Sequence, residues 1–274
     1  MSPKHFLLMV GAETRKVFTR GSGIAALIVA VLAGLAVAGG VKGIQDWGVA
    51  QGANINGMSA ADLLQASGPA IAGWSLATRN FFVLPLFLLL SAAGAVAGEH
   101  RDRTLRELIV RPVPRWSVLA AKLAALSLLS IASLALTLGP SLGLGVALWG
   151  ATPLPGQPGM GDVALGYAAS FLSDVGLLAI AMLLSLFVGS VGGVVVTMTL
   201  LLMADLALRG VLALAAQFGV EAAATLQPWT LGNALGCWEG FEGGWEPARF
   251  VALAALLVVS CGLGVARFAR MDVP

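Results

Sequence analysis

The chain has 274 residues, 58% of them hydrophobic and only 11% charged, with a mean hydropathy of +0.90. Soluble domains carry about 25% charged residues, so this composition excludes an ordinary soluble enzyme and describes an integral membrane protein. The net charge of +2 is too small to imply a nucleic-acid partner. A mix rich in Ala, Leu, Val and Gly suits membrane helices better than the alternating strands of a barrel.

Residues 1–22 read as an amphipathic helix lying in the membrane interface. Phe6, Leu7, Val10, Val17 and Phe18 fall on one face at helical spacing, and Glu13, Lys16 and Arg20 on the other. A disordered basic tail is the plainer alternative. A cleavable signal peptide is not expected, because Glu13 stands beside Arg15 and Lys16 and the next apolar run is long enough to remain as a span.

A crossing helix needs about 20 largely apolar residues. Runs of that kind fall at 24–41, 81–97, 118–149, 163–188, 191–214 and 250–268, which predicts six transmembrane helices in a single transmembrane domain, 1–274. The third run is longer than a crossing needs and contains Pro140, so a kink or an extension beyond the bilayer is expected.

Lysine and arginine counts orient these spans. With the N-terminus inside, Lys4, Arg15, Lys16, Arg20, Arg101, Arg103, Arg106, Arg111, Arg115, Lys122, Arg267 and Arg270 lie on the inner side. Lys42, Arg79, Arg209 and Arg249 lie outside. That bias places both termini in the cytoplasm.

The outer segments differ in character. Residues 42–71 read as a polar loop with Asn54, Asn56 and Asp62. Residues 150–162 are a turn-rich connector in which Asp162 caps the fourth helix. Residues 207–248 separate the fifth and sixth spans. Their distal part interleaves Trp229, Trp238 and Trp245 with Glu221, Glu239, Glu242 and Glu246, which suits short helices dipping into the outer interface, a re-entrant element among them.

Motifs for chemistry are sparse. The phosphate-binding pattern GxxxxGK[ST] is absent, and the histidines, His5 and His100, lie at the inner surface, so neither ATP binding nor a metal centre is expected of this chain. Cys237 and Cys261 form no CxxC pair and fall in different environments, so no disulfide is expected. Gly139-Pro-Ser-Leu-Gly143 matches the GxSxG pattern of a serine nucleophile, but no histidine base lies at matching depth. The small residues fit a close helix crossing better, as do Gly94/Gly98 and Gly189/Gly193.

Two acids fall inside spans. Asp174 lies ~16 Å into the fourth span at 1.5 Å per residue, near the midplane, and Asp205 lies at similar depth in the fifth. Both must face protein, water or a partner. Asp205 has Arg209 one turn on, and Asp174 would bond a neighbouring helix or stay protonated. An aspartyl-protease pair similar to the GxGD intramembrane enzymes is one alternative, with Gly-Met-Gly-Asp162 as its partial motif. An ion-coupled carrier using the same acids is another.

The most distinctive stretch, 98–116, lies between the second and third spans. Leu105, Leu108 and Ile109 form a short apolar stripe at i, i+3 and i+4, surrounded by Arg101, Arg103, Arg106 and Glu107. Arg111-Pro-Val-Pro-Arg115 ends it, because Pro112 and Pro114 cannot continue a helix. Positive-inside topology accounts for the arginines and leaves the stripe without a purpose; a docking element accounts for both.

Glu99, Thr104-Leu105, Leu108, Arg111-Pro-Val113 and Arg115, followed by Lys122, resemble the cytoplasmic loop of the ABC-2 type permeases, the membrane subunits of type V ABC transporters. The glycine that usually precedes the threonine is replaced by Arg103. The interfacial N-terminal helix, six spans, elaborated outer segment and Arg267-Phe-Ala-Arg-Met-Asp272 end fit the same resemblance.

The resemblance implies a multi-pass protein of a bacterial cytoplasmic membrane, not catalytic by itself. It implies a coupling helix seated on a separate ATPase subunit that carries ATP and Mg. Glu99, Arg101, Arg103, Leu105, Arg106, Leu108, Ile109, Arg111, Pro112 and Arg115 are the implied docking residues. A second copy or a paralogue would complete the path through the bilayer.

Overall fold

A computed structural model describes residues 2–50, 54–55, 58–59, 65–81, 83–99, 114–240 and 244–270. The fold is helical throughout these residues, apart from a two-residue antiparallel bridge pairing Asn54–Ile55 with Met58–Ser59. Helix α1 (Pro3–Thr19) starts with Pro3 in its first turn, where a missing N–H costs nothing, and ends at Arg20 in extended conformation. Helix α2 (Gly21–Ala50) begins directly after it.

Helices α3 (Gly68–Asn80) and α4 (Val83–Ala93, continued by a π turn at Gly94–Gly98) come next. The long helices α5 (Arg115–Trp149), α6 (Met160–Val188) and α7 (Val191–Gln217) succeed them. Short helices α8 (Glu221–Leu226) and α9 (Leu231–Leu235), with 3₁₀ turns at Gln227–Trp229 and Cys237–Glu239, precede the last helix, α10 (Pro247–Ala269).

Five of these helices, α2, α5, α6, α7 and α10, are long and apolar enough to cross a membrane, as expected of a multi-pass membrane protein. The second predicted run has a different form. Helices α3 and α4 meet at a bend of 47°, and only as one broken unit do they pass the same test, which would bring the number to six. Pro85 accounts for the break: it has no N–H for the Phe81 carbonyl, and its ring clashes with that carbonyl, which lies at the bend. The predicted polar loop 42–71 is thereby shortened at both ends. Helix α2 runs on to Ala50, and α3 begins at Gly68 under the cap of the Ser67 hydroxyl, which accepts from the Ala70 amide.

Pro140 does not interrupt α5, which runs unbroken for 35 residues, or ~52 Å, and so exceeds the hydrocarbon core. Between α6 and α7 the turn is very tight. Gly189 takes the left-handed conformation (φ 64°) that ends a helix, and Ser190 caps the next by accepting from the Gly193 amide. Asp162 sits at the third position of α6 rather than at its cap, where its Oδ2 accepts from the Gly159 amide.

Without a hydrophobic drive between helices in lipid, close packing decides which faces meet. Ala26, Ala30, Gly34 and Ala38 form a stripe one turn apart on α2 that faces α5. A Cβ on Gly34 would lie 2.6 Å from the Thr137 carbonyl oxygen, and the Thr137 hydroxyl donates to the Ala30 carbonyl at 3.1 Å. Gly145 meets Gly68 in the same way, where its Cβ would come within 2.9 Å of the Gly68 Cα. Gly34, Gly68 and Gly145 are therefore crossing glycines, and Gly176 of α6 is another, since its Cβ would lie 2.7 Å from Leu253 Cδ1 of α10. Gly139, Gly143 and Gly98 have open space beside them, and Gly193 is crowded only by its own turn. Ser141 of the GxSxG match lies mid-helix and donates to the Thr137 carbonyl, with no strand or turn to expose it.

Candidate functional site

The chain enters and leaves the predicted docking segment at Glu99 and Pro114, so the site begins with what anchors those two points. Glu99 comes after the π turn, which places one extra residue in the helix and rotates the next side chains by roughly 100° relative to an α-helix. Its side chain is buried, as are Glu13 from α1 and Lys122 from the second turn of α5. Lys122 Nζ donates to Glu13 Oε2 at 2.9 Å and to Glu99 Oε2 at 2.7 Å. Lys16 Nζ bridges the same two acids from the other side, at 2.9 Å from Glu13 Oε1 and 3.2 Å from Glu99 Oε1. Arg20 stands 4.0 Å from Glu99. Two carboxylates are thus held among three cations.

That surplus of cations sets the electrostatics. Burial alone would push the Glu13 carboxyl up, but Lys122 and Lys16 together hold it below its usual 4.5. Burial likewise works against the charge on Lys16, and Glu13 and Glu99 overcome it to hold its pKa above the usual 10.5. Both groups therefore stay charged across neutral pH.

The other anchor is Arg115, at the first position of α5. Its Nη1 donates to the Phe268 and Ala269 carbonyls at 3.3 and 3.0 Å, the open C-terminal end of α10. The Ser117 hydroxyl donates to the Pro114 carbonyl at 2.6 Å and fixes the turn into α5. Side-chain bonds therefore tie α1, the end of α4, α5 and α10 together at the mouth of one loop.

Of the predicted docking residues, Glu99 and Arg115 take part in this base. Arg101, Arg103, Leu105, Arg106, Leu108, Ile109, Arg111 and Pro112 lie outside the described residues. Glu13 departs from its predicted place. Helical spacing put it on the polar face with Lys16 and Arg20, yet it turns inward at 5% exposure to reach Lys122. Leu7 and Leu8 are exposed instead. Lys16 and Glu13 were not expected in the site, and the nearest sequence signal was the i, i+3 pairing of their charges.

The two acids within the spans are each held by their own arginine. Asp174 Oδ2 accepts from Arg79 Nη2 at 2.6 Å and from the Ser130 hydroxyl at 2.6 Å. Arg79 also donates to Ser133, Ser170 and Asn80, and its side chain is completely buried at the bend between α3 and α4. Charge counting placed Arg79 on the outer side; the structure buries it inside the bundle against the Asp174 carboxylate. Its Nε is left without an acceptor.

Asp205 pairs with Arg209 one turn on, as its spacing predicts, with Nε 2.9 Å from Oδ2 though its N–H is not aimed at that oxygen. The same carboxylate accepts from the Gly232 amide at 2.8 Å, which fastens α9 to α7. A Cβ at Gly232 would lie 2.6 Å from both the Arg209 guanidinium and the Asp205 carboxylate, so a larger residue there would displace the pair. No hydrogen bond joins Asp174 to Asp205 among the described residues.

The outer segment packs inward more than its tryptophans suggest. Trp229 is exposed, whereas Trp238 and Trp245 lie against buried residues of α6 and α10, with the Trp245 and Phe250 rings 6.0 Å apart. Glu239 and Glu246 both pair with Arg249. Both cysteines are free thiols, Cys237 buried and Cys261 exposed.

No curated protein matches this chain. Residues 59–274, the part that carries α3 to α10, match a family described as proteins of unknown function (DUF2705), and the chain belongs to that family.

Proposed function

We propose that the chain is the membrane-spanning permease subunit of an ATP-binding-cassette transporter of a bacterial cytoplasmic membrane. It has six crossings, with α3–α4 as the broken second one, and both termini in the cytoplasm. A separate ATPase subunit, which carries ATP and Mg, grips residues 99–115. A second copy or a paralogue completes the path through the bilayer. The chain itself performs no chemistry.

The observation that carries this reading is the charged base of the loop. A handle works only if its root is stiff, and Lys122 joins α1 to the loop's start while Arg115 joins its end to α10. Breaking such a buried pair by removing one partner costs about 3–5 kcal/mol, so a pull on the loop would move four elements together before the root yielded. The resemblance of Glu99, Arg111-Pro-Val113 and Lys122 to the permease loop supports the same assignment. An aspartyl protease would need its two carboxylates to share one water, and here each is engaged by its own arginine and backbone or hydroxyl donors.

Charge reversal at Arg106 together with Leu108→Asp tests the proposal. The double variant should fold normally in detergent and lose co-purification of the ATPase. Unaltered assembly in that variant would refute it.

A further inference from the structure

Beside the root, a concave feature of the surface is built from α5 and α10 together with α6. The first two turns of α5, the last two of α6 and the inner half of α10 enclose an apolar cleft of about 160 Å³. Trp116, Ala120, Met182, Leu186, Cys261 and Gly264 are among its walls. At 1.5 Å per residue it runs roughly 10 Å along the helix axes, from Trp116 to Leu123. Small residues make the hollow. A Cβ added to Gly264 would meet nothing nearer than Leu186 Cδ1 at 4.0 Å, so the space beside it is open.

Charge is confined to one end of the cleft. Arg267 lies two positions beyond the last lining residue, Val265, and its guanidinium lies 5.3 Å from the centroid of the Phe187 ring, next to Leu186. Arg115 immediately precedes Trp116 on the facing helix. The carbonyls at the end of α10 would repel an anion, but Arg115 already occupies them. The half-exposed indole of Trp116 stands between the basic rim and the apolar interior, the level such rings favour in a bilayer.

We infer that this cleft holds the headgroup-proximal part of an acyl chain of an anionic glycerophospholipid from the leaflet on the arginine side, its phosphate seated at Arg267. An apolar slot open to the side and capped by cations at interfacial depth has the polarity of one such lipid, head to tail. A second protein chain would have to cover the arginine rim with acids at the same depth. Arg267 should favour an anionic over a zwitterionic headgroup by about fivefold.

Native mass spectrometry of the full chain in detergent would test the inference, with dioleoyl phosphatidylglycerol and dioleoyl phosphatidylcholine as equal-length probes. The wild type should retain the anionic lipid preferentially. R267Q should lose that preference by about fivefold, and Gly264→Leu, which fills the hollow, should lose retention of both lipids.

Equal retention of the two lipids by the wild type, or unchanged retention in Gly264→Leu, would overturn it. So would a Gly264→Leu chain that loses self-association and keeps its lipid, since the occupant would then be a second copy. A measurement on the unaltered fold guards against a misfolded variant. Trp116 lines the cleft and is half-exposed, so the part of the tryptophan emission that Trp116→Phe removes should be quenched more by a nitroxide-labelled anionic lipid than by its choline counterpart. Equal quenching would overturn the inference as well.

Discussion

Lys122→Met removes one charge and keeps most of the side-chain volume, so its effect measures the electrostatics of the loop's root. Lys122 is 1% exposed and bonds one oxygen of Glu13 and one of Glu99, at 2.9 and 2.7 Å. In the variant both carboxylates keep Lys16, whose own side chain is 46% exposed, and Glu99 also keeps Arg20 at 4.0 Å. Stripping a buried charge of its partner costs about 3–5 kcal/mol; the remaining Lys16 places this case at the lower end, about 3 kcal/mol.

At about 2–4 °C per kcal/mol, the midpoint of thermal unfolding in detergent should fall by roughly 6–12 °C. Glu13→Gln added to the variant relieves the repulsion between the two acids. The double change should therefore cost at least ~1 kcal/mol less than the two single changes together. A single-variant loss below ~1 kcal/mol, or additivity within ~0.5 kcal/mol, would refute the assignment of this cluster as the stiff root of the loop.

Arg79→Gln and Asp174→Asn should each destabilise by about 3–5 kcal/mol, whereas the combined variant should lose less than either alone, because no unpaired charge is left in the bundle. Unfolding midpoints of the three proteins check this, and a combined variant worse than both single ones would count against the pair. The fastening of α1 depends on pH at both extremes. Glu13, faced by Lys16 and Lys122, is held below its usual 4.5, so its contribution is present above that value and disappears as pH falls through the lowered pKa. Lys16 is held above its usual 10.5, so its contribution is complete below that value and is lost as pH rises through the raised pKa. Amide exchange in α1, corrected for its intrinsic pH dependence, should thus be flat from about pH 5 to 10, and a step near neutrality would contradict these assignments.

Local signals in the sequence carried far. Asp205 and Arg209 meet at the spacing that predicts it, and the sixth apolar run appears as a helix at Pro247–Ala269. The bounds of the fourth and fifth runs at Val188 and Val191 match the helix ends, whereas Gly189, read with Gly193 as a crossing pair, instead ends α6 in the left-handed conformation before the Ser190 cap. Features set by distant partners were not legible.

Helix α3 is too short and too polar for a 20-residue hydropathy window, and only its junction with α4 across the Pro85 break makes it part of a crossing. The inward turn of Glu13 is set by Lys122, 109 residues away, which overrides the helical periodicity of α1. Arg79 was misplaced because counting cations assigns each to one side of the membrane and has no category for one buried within it. Asp174 was correctly expected to bond a neighbouring helix, and a mid-depth acid could have pointed to an arginine as that partner.

The grip of an ATPase on the 99–115 segment is most directly tested by a photo-activated cross-linker placed at Leu108 in intact cells of the native host. The expected adduct is with a cytoplasmic polypeptide that carries a phosphate-binding GxxxxGK[ST] sequence, and it should be lost when Arg106 is reversed in charge. An adduct formed only with extracytoplasmic proteins, or none at all in membranes whose transporter hydrolyses ATP, would contradict that grip.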